Sequence, residues 1–121
     1  MKILLVDDCD LIRTIMKKDL NRVEAFDCDE AKDGREAVAA CKKNKYDVVL
    51  MDWNMPNMSG LEAVKSIRAG GDNVPIIMVT TEAEKNSVIK ALKAGANNYI
   101  VKPFQPDLLL SRIKLTIWRA R

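Results

Sequence analysis

The sequence contains no histidine. That excludes imidazole acid–base catalysis, HExxH zinc chemistry and service as a phosphohistidine carrier. Cysteine is scarce: Cys9, Cys28 and Cys41 are odd in number and show no CxxC spacing, which argues against a disulfide framework and against a zinc site. Aromatic residues make up 5% of the chain and do not interleave with the basic clusters Lys17-Lys18 and Lys42-Lys43-x-Lys45. Those clusters therefore read as solvated helix surface and not as a nucleic-acid interface. The charge imbalance is mild, +3 from 20 basic and 17 acidic residues. No apolar run approaches the roughly 20 residues that span a bilayer. The first run, Ile3 to Val6, is also too short for a signal-peptide core and has no small-residue cleavage site. The expectation is a cytoplasmic protein without membrane insertion, whose chemistry uses carboxylates, lysines and hydroxyls.

What is present suffices for one core: 121 residues, 48% of them apolar. Two kinds of segment alternate. Compact apolar runs occur at Ile3–Val6, Asp47–Met51, Pro75–Val79 and Asn98–Val101, with a weaker strand over 24–31 that places Phe26 and Cys28 at period two. Helical spacing falls between them. Residues 11–20 carry Leu11, Ile12, Ile15, Met16 and Leu20, and residues 35–44 carry Ala37, Val38, Ala40 and Cys41. A third helix runs from Leu61 through Val64 and Ile67 to Gly70-Gly71. A fourth, over 83–94, carries Val88, Ile89 and Leu92, with Gly95 in the place of a C-cap; the last, over 107–119, carries Leu109, Ile113 and Ile117. Asp33-Gly34 reads as a turn and Asn54–Gly60 as a loop. No repeat, linker or low-complexity segment interrupts the pattern. Five strand–helix pairs with strands apolar throughout predict an α/β fold: a five-stranded parallel sheet with helices on both faces.

In such a sheet, ligands bind beyond the carboxyl ends of the strands, at the point where the strand order reverses. Asp7 and Asp8 follow the first strand, Asp52 the third, Thr80 and Thr81 the fourth, and Lys102 the fifth. Carboxylates gathered at one edge repel one another, and a hard divalent cation relieves that repulsion. Mg²⁺ takes one or two carboxylates together with phosphate oxygens. A carboxylate can then act as the nucleophile toward phosphorus, while a lysine and a hydroxyl stabilise the charge on the transferring group.

Asp7-Asp8, Asp52, Thr80 and Lys102-Pro103 together resemble the signature of two-component response-regulator receivers, and the resemblance covers the whole chain. Asp52-Trp-Asn-Met-Pro-Asn-Met58 followed by Gly60, with Val79-Thr80 and Glu82-Ala83, is most similar to the chemotaxis branch of that family. The resemblance brings with it the flavodoxin-like strand order 2-1-3-4-5, which spacing alone does not yield. It implies a single receiver domain over 1–121 with Asp52 as phosphoacceptor. Mg²⁺ would be held by Asp8 and Asp52 through their carboxylates, by Asp7 through water, and by the backbone carbonyl of Asn54. Thr80 would bond the phosphoryl group, Lys102 would pair with it, and the Lys102–Pro103 bond would be cis. Tyr99 would move inward with Thr80 and relay the change to a face built from the fourth helix, fifth strand and fifth helix. The donor would be a phosphohistidine on a sensor histidine kinase, and the output partner a protein docking on that face, a flagellar motor switch if the pathway is motility. The receiver would be monomeric, a signalling switch whose only chemistry is its own phosphorylation and dephosphorylation. Asn54 and Glu82 occupy positions that tune self-dephosphorylation in the family and imply a short-lived phosphoform.

Two departures from the pattern stand out. Cys9 follows the acid pair where a larger residue is usual, and reads as a small buried side chain with redox sensitivity as the alternative. Ser59 replaces an acid before Gly60 and can still cap the next helix. Trp53 and Trp118 read as packing or partner-face residues, and Met55 and Met58 as loop residues near the site. Three other functions compete. Asp8-Cys9-Asp10 also reads as the DxD of a Mg²⁺-dependent haloacid-dehalogenase-like phosphatase, but that chemistry needs a late acidic pair, and Asp107 is the only acid beyond Lys102. A pseudo-receiver that only binds a partner would not need a complete set of site residues. A receiver from another two-component pathway, or one separated from a DNA-binding domain, would use the same parts.

Overall fold

The computed structural model describes residues 1–81 and 86–120. Strands β1 (Lys2–Val6), β2 (Asp27–Ala31), β3 (Val48–Asp52), β4 (Ile76–Thr80) and β5 (Asn98–Val101) form one parallel sheet in the order β2-β1-β3-β4-β5. Helices α1 (Asp10–Val23), α2 (Gly34–Lys43), α3 (Gly60–Ala69), α4 (Val88–Ala94) and α5 (Pro106–Arg119) alternate with them. Each residue of β3 and β4 is buried, because these strands are covered on both faces and their sequences, VVLMD and IIMVT, supply apolar side chains to each. Alternation sends Leu4, Val49 and Met78 toward α2, α3 and α4, and Leu5, Leu50 and Val79 toward α1 and α5, giving two cores on opposite sides of the sheet.

The second strand is shorter than the expected 24–31 and spans Asp27–Ala31. It is an edge strand, paired among the described residues only to β1, so its sequence DCDEA needs no apolar run to mark its limits. Phe26 lies just outside it, buried, its N–H donating to Asn21 Oδ1 at 3.0 Å. Polar ties hold the edge instead: the Tyr46 hydroxyl donates to Asp29 at 2.6 Å, and Glu30 pairs with Arg13 and Lys17.

Helix α1 corrects the expected stripe. Leu11, Ile12 and Ile15 are exposed, and the buried face is Arg13, Met16 and Leu20. Arg13 occupies an i, i+3, i+7 row that a search for apolar periodicity discards because it is charged. Ile89 and Leu92 of α4, expected beside Val88 in the core, are exposed. The start of the expected 83–94 helix lies outside the described residues. Cys9, expected to be small and buried, is exposed.

Local chemistry sets several helix ends. Gly95 closes α4 in the left-handed conformation, φ 119°, as its place in the sequence suggested. Ser59 caps α3 in a reciprocal box with Glu62. The Asp33-Gly34 pair, expected to be a turn, is instead the N-cap and first residue of α2. Asp33 Oδ1 accepts from the Glu36 amide at 2.9 Å, and Oδ2 accepts from Asn57 Nδ2 at 2.8 Å. Asn57 reaches it from a left-handed backbone, φ 67°, which asparagine tolerates. Asp33→Ala should destabilise the protein by about 1–2 kcal/mol in denaturant titrations. The Glu36 amide and Asn57 hold the Asp33 carboxyl below the ordinary value of 3.8. A depressed carboxylate contributes in full above its unfolded pKa and loses that contribution as pH falls through the folded one. The gap between wild type and variant should therefore narrow below about pH 4; an equal gap at pH 3 and pH 7 would refute the charge-assisted cap.

Candidate functional site

The strand order reverses between β1 and β3, so the chain beyond β1 and the end of β3 meet at the switch point of the sheet. In register, Val6 lies beside Met51, Asp52 beside Val79, and Thr80 beside Val101. Asp52 and Thr80 are the last residues of their strands, which run one position further than the apolar runs suggested. This register brings Asp7, Asp8 and Asp52 together, with one carboxylate oxygen from each lying within 4.8 Å of the others. Asp7 and Asp52 are buried and Asp8 is exposed, so the cluster opens to solvent on one side.

Lys102 Nζ stands 3.1 Å from Asp52 Oδ1 and 3.6 Å from Asp7 Oδ2. It arrives from β5, where its own backbone N–H donates to the Thr80 carbonyl at 2.7 Å and the peptide to Pro103 is cis. Asp7 Oδ1 also accepts from the Cys9 amide at 2.9 Å, and Asp52 Oδ1 from the Trp53 amide at 3.0 Å. Burial pushes the Asp52 carboxyl above the usual carboxylate range; the Lys102 charge opposes the rise and Asp7 adds to it. For Lys102, burial acts to lower the pKa, but the Asp52 and Asp7 carboxylates outweigh it and hold the ammonium above its ordinary value.

Three carboxylates face one ammonium here, a negative excess built only from oxygen donors. That donor set fits a hard divalent cation such as Mg²⁺ and does not fit a thiolate or imidazole metal. The fully buried Thr80 Oγ1 finds no hydrogen-bond partner among the described residues. An orphaned buried hydroxyl costs about 1–3 kcal/mol, so its position calls for a reason beyond the resting fold.

The other expected residues are distributed through the fold. Asn54 is exposed in the loop after β3. Tyr99 is half-buried against the core under α3 and α4, with the Arg112 guanidinium 5.7 Å from its ring centre. Trp53 is half-buried against the same core, whereas Trp118 is 71% exposed. Glu82 lies outside the described residues. Asp10, the second acid of the DxD reading, does not join the cluster: its side chain is 80% exposed and pairs with Arg13. That removes the geometric basis of the phosphatase alternative. Sequence reasoning missed Arg13, buried beneath the acid pair, and its spacing with Met16 and Leu20 was the one signal for it.

The family model of the response regulator receiver domain matches residues 3–114. A Chemotaxis protein CheY homolog of Campylobacter jejuni is 50% identical over 117 residues, covering 94% of this chain and 90% of the relative. Chemotaxis protein CheY1 of Helicobacter pylori is 48% identical over 120 residues, 97% of either chain. Among solved structures, the CheY4 chemotaxis protein of Vibrio cholerae superposes with a TM-score of 0.86 at 37% identity, covering 95% of this chain and 97% of that one. The receiver domain of the Francisella response regulator 1452 superposes with a TM-score of 0.89 at 32% identity, covering 99% and 98%.

Proposed function

The chain belongs to the response regulator receiver family and is CheY-like, and on that premise we propose that it is a signalling switch turned on by phosphorylation of Asp52. The carrying observation is the convergence of Asp7, Asp8 and Asp52 within 4.8 Å, with Lys102 Nζ 3.1 Å from Asp52. An Asp52 oxygen attacks the phosphorus of a phosphohistidine on a sensor histidine kinase. The O–P bond forms as the P–N bond breaks; the bonding pair stays as a lone pair on the nitrogen that carried phosphorus, and the proton on the other ring nitrogen makes the departing imidazole neutral. Burial leaves the Asp52 carboxylate poorly solvated, and so more nucleophilic than a surface aspartate.

The Asp7, Asp8 and Asp52 carboxylates and the Asn54 carbonyl would hold Mg²⁺, which screens the acids and draws charge from the phosphoryl oxygens. Lys102 pairs with the phosphoryl group as charge builds on it, and Thr80 donates its orphaned hydroxyl. Departure of Thr80 from its present place lets Tyr99 move inward and alters the face of α4, β5 and α5. That face offers exposed Ile89 and Leu92 on α4 and exposed Leu115 on α5 to an output partner, a flagellar motor switch in a chemotaxis pathway. We read residues 1–121 as one receiver domain acting as a monomer in the cytoplasm; no described helix is long and apolar enough to cross a membrane. A receiver of another two-component pathway would share this chemistry and differ in its partner.

Trp53, next to Asp52, reports on the site. Its emission is expected to change with Mg²⁺ and again with beryllofluoride, a mimic of the phosphoryl group, and a small acyl phosphate should leave acid-labile phosphate on the intact protein. Silence in all three measurements ends the proposal. Thr80→Val keeps the shape and removes the orphaned hydroxyl, so the metal-free protein should be as stable as wild type or up to about 1–2 kcal/mol more stable. The same variant should respond more weakly to beryllofluoride. Lower stability with an unchanged beryllofluoride response would show that the hydroxyl serves the resting fold.

A further inference from the structure

The phosphoryl chemistry makes no use of Arg13, yet among the described residues this side chain is the buried cation nearest the acid pair in sequence. Its side chain is 5% exposed. The guanidinium takes three acceptors from three elements. Nη1 donates to the Asp7 main-chain carbonyl just past β1, Nη2 pairs with the Asp10 carboxylate in α1, and Nε donates to Glu30 Oε1 of β2 at 2.9 Å. The Asp7 carbonyl belongs to the peptide that joins Asp7 to Asp8. A peptide is a rigid plane, so a donor fixed on its carbonyl sets the direction in which the Asp8 side chain leaves the backbone. The other side of Asp7 is also held, its N–H donating to the Ala31 carbonyl at 3.1 Å and its Oδ1 accepting from Cys9 N at 2.9 Å. Asp8 itself is exposed, and the carbonyl bond from Arg13 restrains its leading peptide while the Cys9 N–Asp7 Oδ1 bond closes the turn on its other side.

Charge completes the case. A bare guanidinium beside a divalent-cation site would repel the cation. Here the Asp10 and Glu30 carboxylates pair with Arg13 and balance its charge, so the fork holds the loop without placing net positive charge at the site. A lysine has no planar fork and cannot span three acceptors at fixed angles.

We propose that Arg13 is a positioning residue that orients the Asp7–Asp8 peptide so that the Asp8 carboxylate converges with Asp52 on a divalent cation; this rests on the Mg²⁺ reading of the site. Mg²⁺ titrations of Trp53 emission, well below the melting temperature, test it with wild type measured first. Arg13→Met should weaken Mg²⁺ binding about tenfold or more, as loss of a residue that orients a ligand does. Arg13→Lys should bind with intermediate affinity. In the metal-free protein the amide resonances of Asp8 and Cys9 should shift in Arg13→Lys, while those of Gly95 and Asn97 stay in place. If Arg13→Met does not fold, Arg13→Lys decides: folded, with weaker Mg²⁺ binding and displaced Asp8 and Cys9 amides, it supports the proposal. Variants that melt lower but bind Mg²⁺ as wild type does overturn it and leave Arg13 a structural tie between helix and sheet. A wild type that binds no Mg²⁺ removes the reading of the site itself, an outcome visible before any variant is made.

Discussion

Asp52→Asn is expected to abolish phosphate acceptance without harming the fold. Incorporation of acid-labile phosphate from a small acyl phosphate should drop to background, at least about a hundredfold, because an amide oxygen is not a competent nucleophile. A loss of folding is not expected, for a reason specific to this site. The folded pKa of Asp52 lies above its unfolded value, chiefly through burial. An acid shifted upward binds its proton more tightly when folded, so its ionised form weighs against folding at every pH above the folded pKa. The amide carries no charge and relieves this at neutral pH. In metal-free buffer the variant should melt at or above the wild-type temperature. Added Mg²⁺ should then raise the wild-type midpoint, since a ligand that binds only the folded state stabilises it, and should raise that of Asp52→Asn much less. Phosphate uptake by Asp52→Asn at the wild-type rate would move the acceptor elsewhere.

The central strands were legible because β1, β3 and β4 are covered on both faces and must be apolar throughout. The edge strand β2 was legible only roughly, because one edge faces solvent and polar ties through Tyr46, Arg13 and Lys17 replace apolar packing. The site followed from the same rule. Residues at the ends of successive parallel strands are brought to one edge by topology, so Asp7, Asp8, Asp52, Thr80 and Lys102 could be gathered before any distance was known. Two kinds of feature escaped. One is a charged residue doing an apolar residue's work of packing, as Arg13 does, because hydrophobic periodicity assigns it to solvent. The other is an apolar stripe left exposed: Leu11, Ile12 and Ile15 carry the composition of a core face while the helix turns Arg13, Met16 and Leu20 inward. Cys9 belongs with these, since its size suggested burial and its place at the mouth of the acid cluster exposes it.

Gly60 carries the second large prediction. The sequence marks it as the end of a turn-rich loop, and its family resemblance names the position without giving a cause. The structure supplies the cause. A Cβ built on Gly60 would stand 2.1 Å from the carbonyl oxygen of Asp52 and 3.0 Å from Met78 Cε. The obstructing atom is backbone at the end of a buried strand, so no rotamer change relieves it. Gly60 N also donates to the Trp53 carbonyl at 2.8 Å, which holds the start of α3 against the end of β3. Gly60→Ala must therefore push α3 outward, loosening Ala63, Val64 and Ile67, or push back the strand that carries Asp52. The expected loss is about 2–4 kcal/mol, a fall in melting temperature of roughly 10–15 °C for a domain of this size. Because the displaced carbonyl belongs to Asp52, phosphate acceptance in the cold, where the variant is still folded, should fall further than the folded fraction. Gly70→Ala is the matched control: the nearest atom to its Cβ is 3.5 Å away, an ordinary contact, and its φ of −78° suits any residue. It should melt within about 2 °C of wild type. A Gly60→Ala protein that melts with Gly70→Ala, and takes phosphate as fast, would show that α3 and β3 can separate freely, and that close approach does not set the acceptor's place.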